Sequence, residues 1–272
     1  MLCFYFWLSL QILLESFPVS SSGHCLLLEQ YLSKLAIQIN HYEDFLLHNE
    51  IVSSMRVALL DHFVHGTTVV VIALFFFSRW SWLLLHLRSC WRIIAKIIVL
   101  TAIADIITII FYLIFGVYTF NFPVPVGFII TAILLLSLIW APKKNNGVFD
   151  WRAACMLGIA QGFALLPGIS RFAATYVIAR WLCLSPHKAF ENSWLVAWPL
   201  IAVAFLHSAG IIIITTPESL LLRPATIIIM MTAGVLSFYA LRFVATLAYD
   251  NKMWWFGLYM IIPIIISLVF VG

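Results

Sequence analysis

Two stretches of this chain carry residues whose types and spacing suit phosphate or metal chemistry, and both lie inside apolar segments. The first, Gln11 to His24, reads QILLESFPVSSSGH. Glu15 is costly in hydrocarbon unless it is hydrated, paired or metal-bound, which makes it a functional candidate by default; the structural alternative is a partner for Arg171 or for a helix amide. Gln11 lies four residues earlier, on the same face of a helix, where its amide could ligate the same ion or simply pack against a neighbouring helix. Ser20, Ser21, Ser22 and Gly23 offer hydroxyls and a compact run of N–H groups. These suit phosphate oxygens at a following helix N-terminus, although serines also cap helices routinely. His24 is the natural acid, base or nucleophile near neutral pH.

The second stretch runs from Gln161 through Pro167-Gly168-Ile169-Ser170-Arg171 to Thr175. Arg171 adds a guanidinium at a helix break, with a planar fork that holds a phosphate bidentately. Cation, hydroxyl nest, carboxylate and imidazole together imply an anionic, phosphorylated ligand attached to something lipidic. Hydrolysis of a phosphoanhydride fits, because leaving-group charge can be held by Arg171 and by a divalent cation bound through Glu15. Other polar groups in apolar segments have blander explanations: snorkelling for Arg242, a satisfied core or interface place for His86 and His207, and internal pairing for Asp105.

The elements that position these residues follow from the breaks. Pro18 and Pro167 remove an amide donor and restrict the residue before them, so a helix should stop near Phe17 and the serines should follow on irregular backbone. Polar backbone at membrane depth survives only inside protein or beside a cavity. Each stretch is therefore predicted to be a re-entrant hairpin with a binding site at its tip.

Composition sets the surroundings. With 64% hydrophobic and 10% charged residues in 272, and a mean hydropathy of +1.08, the chain has too few charges to cover a soluble fold. This excludes a nucleic-acid partner as the reason for the net charge of +4, because the basic residues fall between apolar runs, where they set topology. Five cysteines, odd in number and scattered, read as small buried hydrophobes. The first fifteen residues lack a basic n-region and carry Gln11 and Glu15, which argues against a cleaved signal peptide.

In chain order, a hairpin over about 1–28 precedes a mixed polar stretch from Tyr31 to Ser54, predicted interfacial. A segment from about Ser54 to Ser78 is polar in its first half, with Arg56, Asp61, His62 and His65, and should turn that half to the protein interior or to the interface, the cavity of Glu15 being one such place. Arg79, Arg88, Arg92 and Lys96, with Trp80, Trp82 and Trp91, form a loop predicted to be cytoplasmic. Spans are predicted at about 97–118 and 124–140, a second inner loop at 141–152, a hairpin at 153–184, and spans at 193–215, 225–249 and 254–271. The expectation is a single all-α polytopic membrane domain over 1–272, with about six transmembrane helices and two re-entrant proline-broken hairpins. Pseudo-repeats over about 1–118 and 125–249 would form an inverted repeat, with 254–271 as a C-terminal helix and both termini outside.

These motifs resemble the undecaprenyl pyrophosphate phosphatase family, the bacitracin-resistance type of membrane lipid phosphatase. The family's first motif stands here as Gln11, then Glu15-Ser16-Phe17-Pro18-Val19-Ser20-Ser21-Ser22-Gly23-His24. The second stands as Pro167-Gly168-Ile169-Ser170-Arg171-Phe172-Ala173-Ala174-Thr175, preceded by Gly158 and Gln161. Weaker echoes are Asp61 with His65-Gly66-Thr67, and Ala189 with Ser193-Trp194-Leu195 and Pro199. Phe172 and Ala173 replace the family's serine and glycine after the arginine, Ser22 replaces threonine, Tyr259-Met260 replaces a tyrosine–arginine pair, and the spacing at His65 is one residue short.

The resemblance implies conversion of undecaprenyl diphosphate and water to undecaprenyl phosphate and inorganic phosphate, recycling the carrier for peptidoglycan synthesis. It also implies a bacterial inner membrane, a site open to the periplasm, and a divalent cation, Mg²⁺ or Ca²⁺. Carried over, Gln11 and Glu15 would hold the metal, and Glu15, Ser21, His24 and Arg171 would be catalytic. Ser20, Ser22, Gly23, Ser170, Arg171 and Thr175 would bind phosphate. Ser21 attack assisted by His24 is the preferred chemistry, with His24 or an activated water as the other nucleophiles. A carrier or flippase that binds a polyprenyl phosphate without cleaving it is the competing class; it needs the cation and the nest but not the hydroxyl–imidazole pair.

Overall fold

A computed structural model of the chain describes residues 2–38, 54–117, 122–215 and 223–271, and every regular element among them is helical. Most of the predicted interfacial stretch, residues 39–53, lies outside the described residues, as does Asn121 in the short turn expected from Asn121 to Pro123 between the spans at 97–118 and 124–140.

Helix α1 (Leu2–Glu15) closes through tight turns, Ser16 N to Leu13 O at 3.2 Å and Phe17 N to Leu14 O at 3.0 Å, ahead of Pro18. Helix α2 (Ser21–Gln38) starts directly afterwards. Helix α3 (Ser54–Phe75) meets α4 (Phe77–Leu85) at a 66° bend, and α5 (Leu87–Val117) follows His86. The basic stretch from Arg79 to Lys96 is thus helical, not a loop. No glycine or proline interrupts residues 67–115, so charge alone did not stop the helix there. Helix α4 buries none of its residues, and Trp82, Leu84 and Leu85 are exposed.

Helix α6 (Val124–Ser137) continues into a short 3₁₀ turn, Leu138–Trp140. Helix α7 (Trp151–Phe163) is capped by Asp150, whose carboxylate accepts from Ala153 N at 2.9 Å. After the Pro167 break comes α8 (Arg171–Trp181), then α9 (Pro186–Thr215) with Pro199 inside it, and α10 (Pro224–Tyr249). The predicted last span is divided at Met260 into α11 (Trp255–Tyr259) and α12 (Ile261–Val271).

Residues 87–115, 186–214 and 224–249 are long and apolar enough to cross a bilayer, and the bent α3–α4 pair makes a fourth candidate. In each of the three, about a quarter of the most apolar stretch is buried in the protein, which leaves the remainder for lipid. This is a multi-pass membrane protein.

Close helix contacts use small residues and hydroxyls. A Cβ at Gly158 would lie 2.6 Å from the Ala104 carbonyl oxygen, and Thr108 Oγ1 donates across that contact to Gly158 O at 3.2 Å. Ser237 Oγ donates to Ile12 O at 3.1 Å, joining α10 to α1. The main core includes Val71 and Ile72 of α3, Phe76 at the α3–α4 bend, Phe172 of α8, and Phe190 and Trp194 of α9.

Candidate active site

The two broken segments meet tip to tip. Gly168 has φ +83°, and a Cβ there would lie 2.5 Å from Val124 O, so only glycine suits the turn after Pro167. A Cβ at Gly23 would lie 2.9 Å from the Gly168 Cα and 2.7 Å from the Phe128 ring, so a bare backbone is also needed where the first tip touches the second. Thr131 Oγ1 fixes the second tip, donating to Gly168 O at 2.9 Å and accepting from Ser170 N at 3.0 Å. Ser20, at φ 56°, holds a left-handed conformation unusual for a residue with a Cβ. Its Oγ accepts from Gly23 N at 3.3 Å, capping α2 as Ser170 caps α8 through Ala173 N at 3.3 Å.

As a result the N-termini of α2 and α8 open on one cavity of about 80 Å³, walled by Ser20, Ser21 and Ser22 from one tip and Ser170, Arg171 and Phe172 from the other. At roughly 30 Å³ per water, that space suits a phosphate group rather than a prenyl chain. Two helix N-termini and a guanidinium bring positive charge to this part of its wall. The buried Arg171 Nε has no hydrogen-bond partner among the described residues.

Glu15 closes the opposite wall at the C-terminal end of α1. Its Oε1 lies 2.7 Å from His65 Nδ1, and Thr68 Oγ1 donates to Oε2. Glu15 is thus partnered by α3, and no ion pair with Arg171 forms among the described residues. One turn back, Gln11 is fully buried; its Nε2 donates to Asp61 Oδ1, while its Oε1 has no hydrogen-bond partner among the described residues. Asp61, His65 and Thr68 all line the cavity with Glu15, so of the predicted inward groups of α3, Asp61 and His65 turn toward Glu15. Sequence reasoning gave these three no part in the chemistry; the signal was present in the spacing of Asp61 and His65, one helical turn apart.

Four predicted residues do not line this cavity: Gln11, behind Glu15 and bonded to Asp61, and also Gly23, His24 and Thr175. His24 Nδ1 donates to Ser20 O at 2.8 Å, and Nε2 accepts from Tyr259 OH at 3.2 Å. The His24 ring sits edge-on to Phe128 and lines a second, apolar cavity of about 350 Å³ with Leu27, Tyr259 and Ile262. Thr175 is fully buried and its hydroxyl donates to Arg171 O at 3.0 Å and Phe172 O at 3.2 Å, within its own helix. The Gly23 amide is taken by the Ser20 cap. Of the polar groups assigned elsewhere, His207 and Arg242 are exposed, His86 stacks on Trp82 at 4.6 Å, and Asp105 Oδ1 is buried without a partner.

Fold and site define a polytopic all-α membrane protein with a cavity suited to a phosphorylated anion, walled by hydroxyls, one guanidinium and a carboxylate–imidazole pair. The chain belongs to the bacitracin resistance protein BacA family, whose model matches residues 9–266. It is 30% identical over 271 residues to an undecaprenyl-diphosphatase of Treponema denticola, covering 93% of this chain and 91% of that one. It is also similar to undecaprenyl-diphosphatases of Borrelia hermsii, 26% identical over 280 residues and covering 96% and 94% of the two chains, and of Thermotoga petrophila, 29% identical over 262 residues and covering 95% of each.

Proposed function

We propose that this protein hydrolyses undecaprenyl diphosphate to undecaprenyl phosphate and inorganic phosphate, returning the lipid carrier for peptidoglycan synthesis in a bacterial plasma membrane. The observation that carries this reading is the meeting, in one cavity, of the two helix N-termini, an Arg171 whose Nε has no hydrogen-bond partner among the described residues, and the Glu15–His65 pair. The names of the relatives agree with it.

In this mechanism the terminal phosphate sits against the α2 and α8 N-termini, with Arg171 across its oxygens. Nδ1 of His65 faces Glu15, so Nε2 is left to accept a proton, the arrangement in which a carboxylate orients an imidazole base. Ser21 Oγ attacks the terminal phosphorus and passes its proton to His65. The bond from that phosphorus to the bridging oxygen breaks, and His65 returns the proton to the departing undecaprenyl phosphate. Water then attacks the phosphoserine, gives a proton to His65, and releases inorganic phosphate as Ser21 is reprotonated. His65 takes the base role expected of His24, because both ring nitrogens of His24 are engaged outside the cavity.

The resemblance also implies a divalent cation. The donor set fits one: Gln11 Oε1 is buried with no hydrogen-bond partner among the described residues, its Nε2 donates to Asp61, and the Glu15 and Asp61 carboxylates line the cavity. These are hard oxygen donors of the kind Mg²⁺ and Ca²⁺ take, although no group of three or more His, Cys, Asp or Glu suited to a metal occurs among the described residues. A bound cation would offset charge on the diphosphate.

Phosphate release from undecaprenyl diphosphate by the purified protein in detergent tests the reading. Wild type should turn over with Mg²⁺ or Ca²⁺ and stop on chelation. Glu15→Gln, Ser21→Ala and His65→Asn should each lose about 10²–10⁴-fold in kcat, whereas His24→Asn should lose much less. Binding of the lipid without phosphate release under any metal would overturn hydrolysis in favour of a carrier.

A further inference from the structure

Trp194, on α9, is 4% exposed and lines the same cavity as Arg171 and Glu15. Its indole N–H is buried and has no acceptor among the described residues. An indole nitrogen only donates, and a buried donor without an acceptor is among the rarer features of a folded protein. Two other tryptophans are satisfied: Trp198 Nε1 donates to Val69 O and Trp181 Nε1 to Ser137 Oγ, each at 3.1 Å. The carboxylates of Glu15 and Asp61 share the cavity but do not take the Trp194 proton; they are engaged by Thr68 and Gln11.

The Trp194 ring is held in place. It stacks on Phe172 with centroids 4.6 Å apart and planes 20° from parallel, and Phe172 is in turn edge-on to Phe190 at 5.5 Å and 84°. Phe172 occupies the position directly after Arg171 at which the resembled motif carries serine. At this point the cavity wall therefore has an aromatic platform in place of a hydroxyl, with an unused N–H mounted on it.

We propose that Trp194 donates its indole N–H to a non-bridging phosphate oxygen of the bound diphosphate, beside the Arg171 guanidinium, and is a substrate-binding residue of this site. The assignment rests on the diphosphate reading above. Phe172 sets the plane in which the donor lies and acts as its positioning residue.

Trp194→Phe keeps the ring and its stacking and deletes only the donor. Loss of one hydrogen bond to a charged oxygen should raise KM for undecaprenyl diphosphate and Ki for inorganic pyrophosphate together, by about ten-fold, with a smaller change in kcat. In protein labelled with ¹⁵N on the indole nitrogens, the resonance missing from Trp194→Phe should move downfield when wild type is titrated with pyrophosphate. Unchanged KM and Ki in the variant, or an indole resonance that pyrophosphate leaves in place, would overturn the proposal. If Trp194→Phe does not fold, a Trp194→His spectrum identifies the resonance and the wild-type titration still decides. If wild type releases no phosphate, hydrolysis fails, yet the pyrophosphate titration still reports on the Trp194 donor.

Discussion

Arg171 lies in the same cavity as Glu15 and forms no pair with it, because both carboxylate oxygens of Glu15 are already held by His65 and Thr68. A buried guanidinium nitrogen without a partner is costly in an apolar surround, so the arrangement is suited to a ligand that brings its own negative charge. Arg171→Lys keeps the charge but loses the planar fork; kcat/KM should fall by at least about ten-fold, and by about 10²–10³-fold for Arg171→Ala, as read by phosphate release. The importance of Glu15 and Arg171 was legible in the sequence because the expense of an ion in an apolar run is a local property. Their partners were not legible: His65 is fifty residues from Glu15, and only packing of α3 against α1 brings the two together.

At the level of elements, each broken segment presents a capped helix start to the cavity, and the second tip is held by one threonine and one left-handed glycine. Gly168→Ala meets both an unfavourable φ, about 1–2 kcal/mol, and the Val124 carbonyl; it should lower Tm in detergent and abolish phosphate release. Thr131→Val leaves the Ser170 N–H and the Gly168 carbonyl without their shared partner. The expected loss is about 1–3 kcal/mol per buried group, measured as a fall in Tm together with reduced kcat as the α8 N-terminus loosens. The proline breaks and the serine caps were readable one residue at a time, from the chemistry of the missing amide and the available hydroxyl. The course of residues 77–96 was not, since charged side chains suggest a loop only where backbone breakers accompany them, and none do.

Across the whole molecule, the proposed arrangement is six crossings with one hairpin entering from each face. Contacts among the described residues join segments predicted to lie at its inner end. Arg180 Nη1 and Nη2 donate to Asn145 Oδ1 at 3.0 Å and Asn251 Oδ1 at 3.2 Å, tying the end of α8 to the 141–150 segment and to the turn after α10. Arg79 Nε lies 2.5 Å from Glu191 Oε1, joining the first basic stretch to the start of α9. Cysteines placed at the exposed Asn146 and Arg223 should separate the two sides. In intact cells a membrane-impermeant thiol reagent should label Arg223→Cys, and Asn146→Cys only after permeabilisation; the reverse pattern would overturn the expected topology and with it the periplasmic opening of the site that the resemblance implies.

The sequence by itself determined that this chain lives in a membrane, that it breaks its helices at Pro18 and Pro167, and that a carboxylate, hydroxyls and a guanidinium stand at those breaks, because hydropathy, backbone restriction and ionic desolvation each act within a few residues. The tertiary structure decided which groups face one another. The Gly23–Gly168 contact merges two tips into one cavity, the packing of α3 brings His65 to Glu15, the Tyr259 hydroxyl draws His24 to the other side of α2, and the Phe172 platform holds the Trp194 donor. Each of these depends on how close two helices approach, and that distance is set by side chains far apart in the chain.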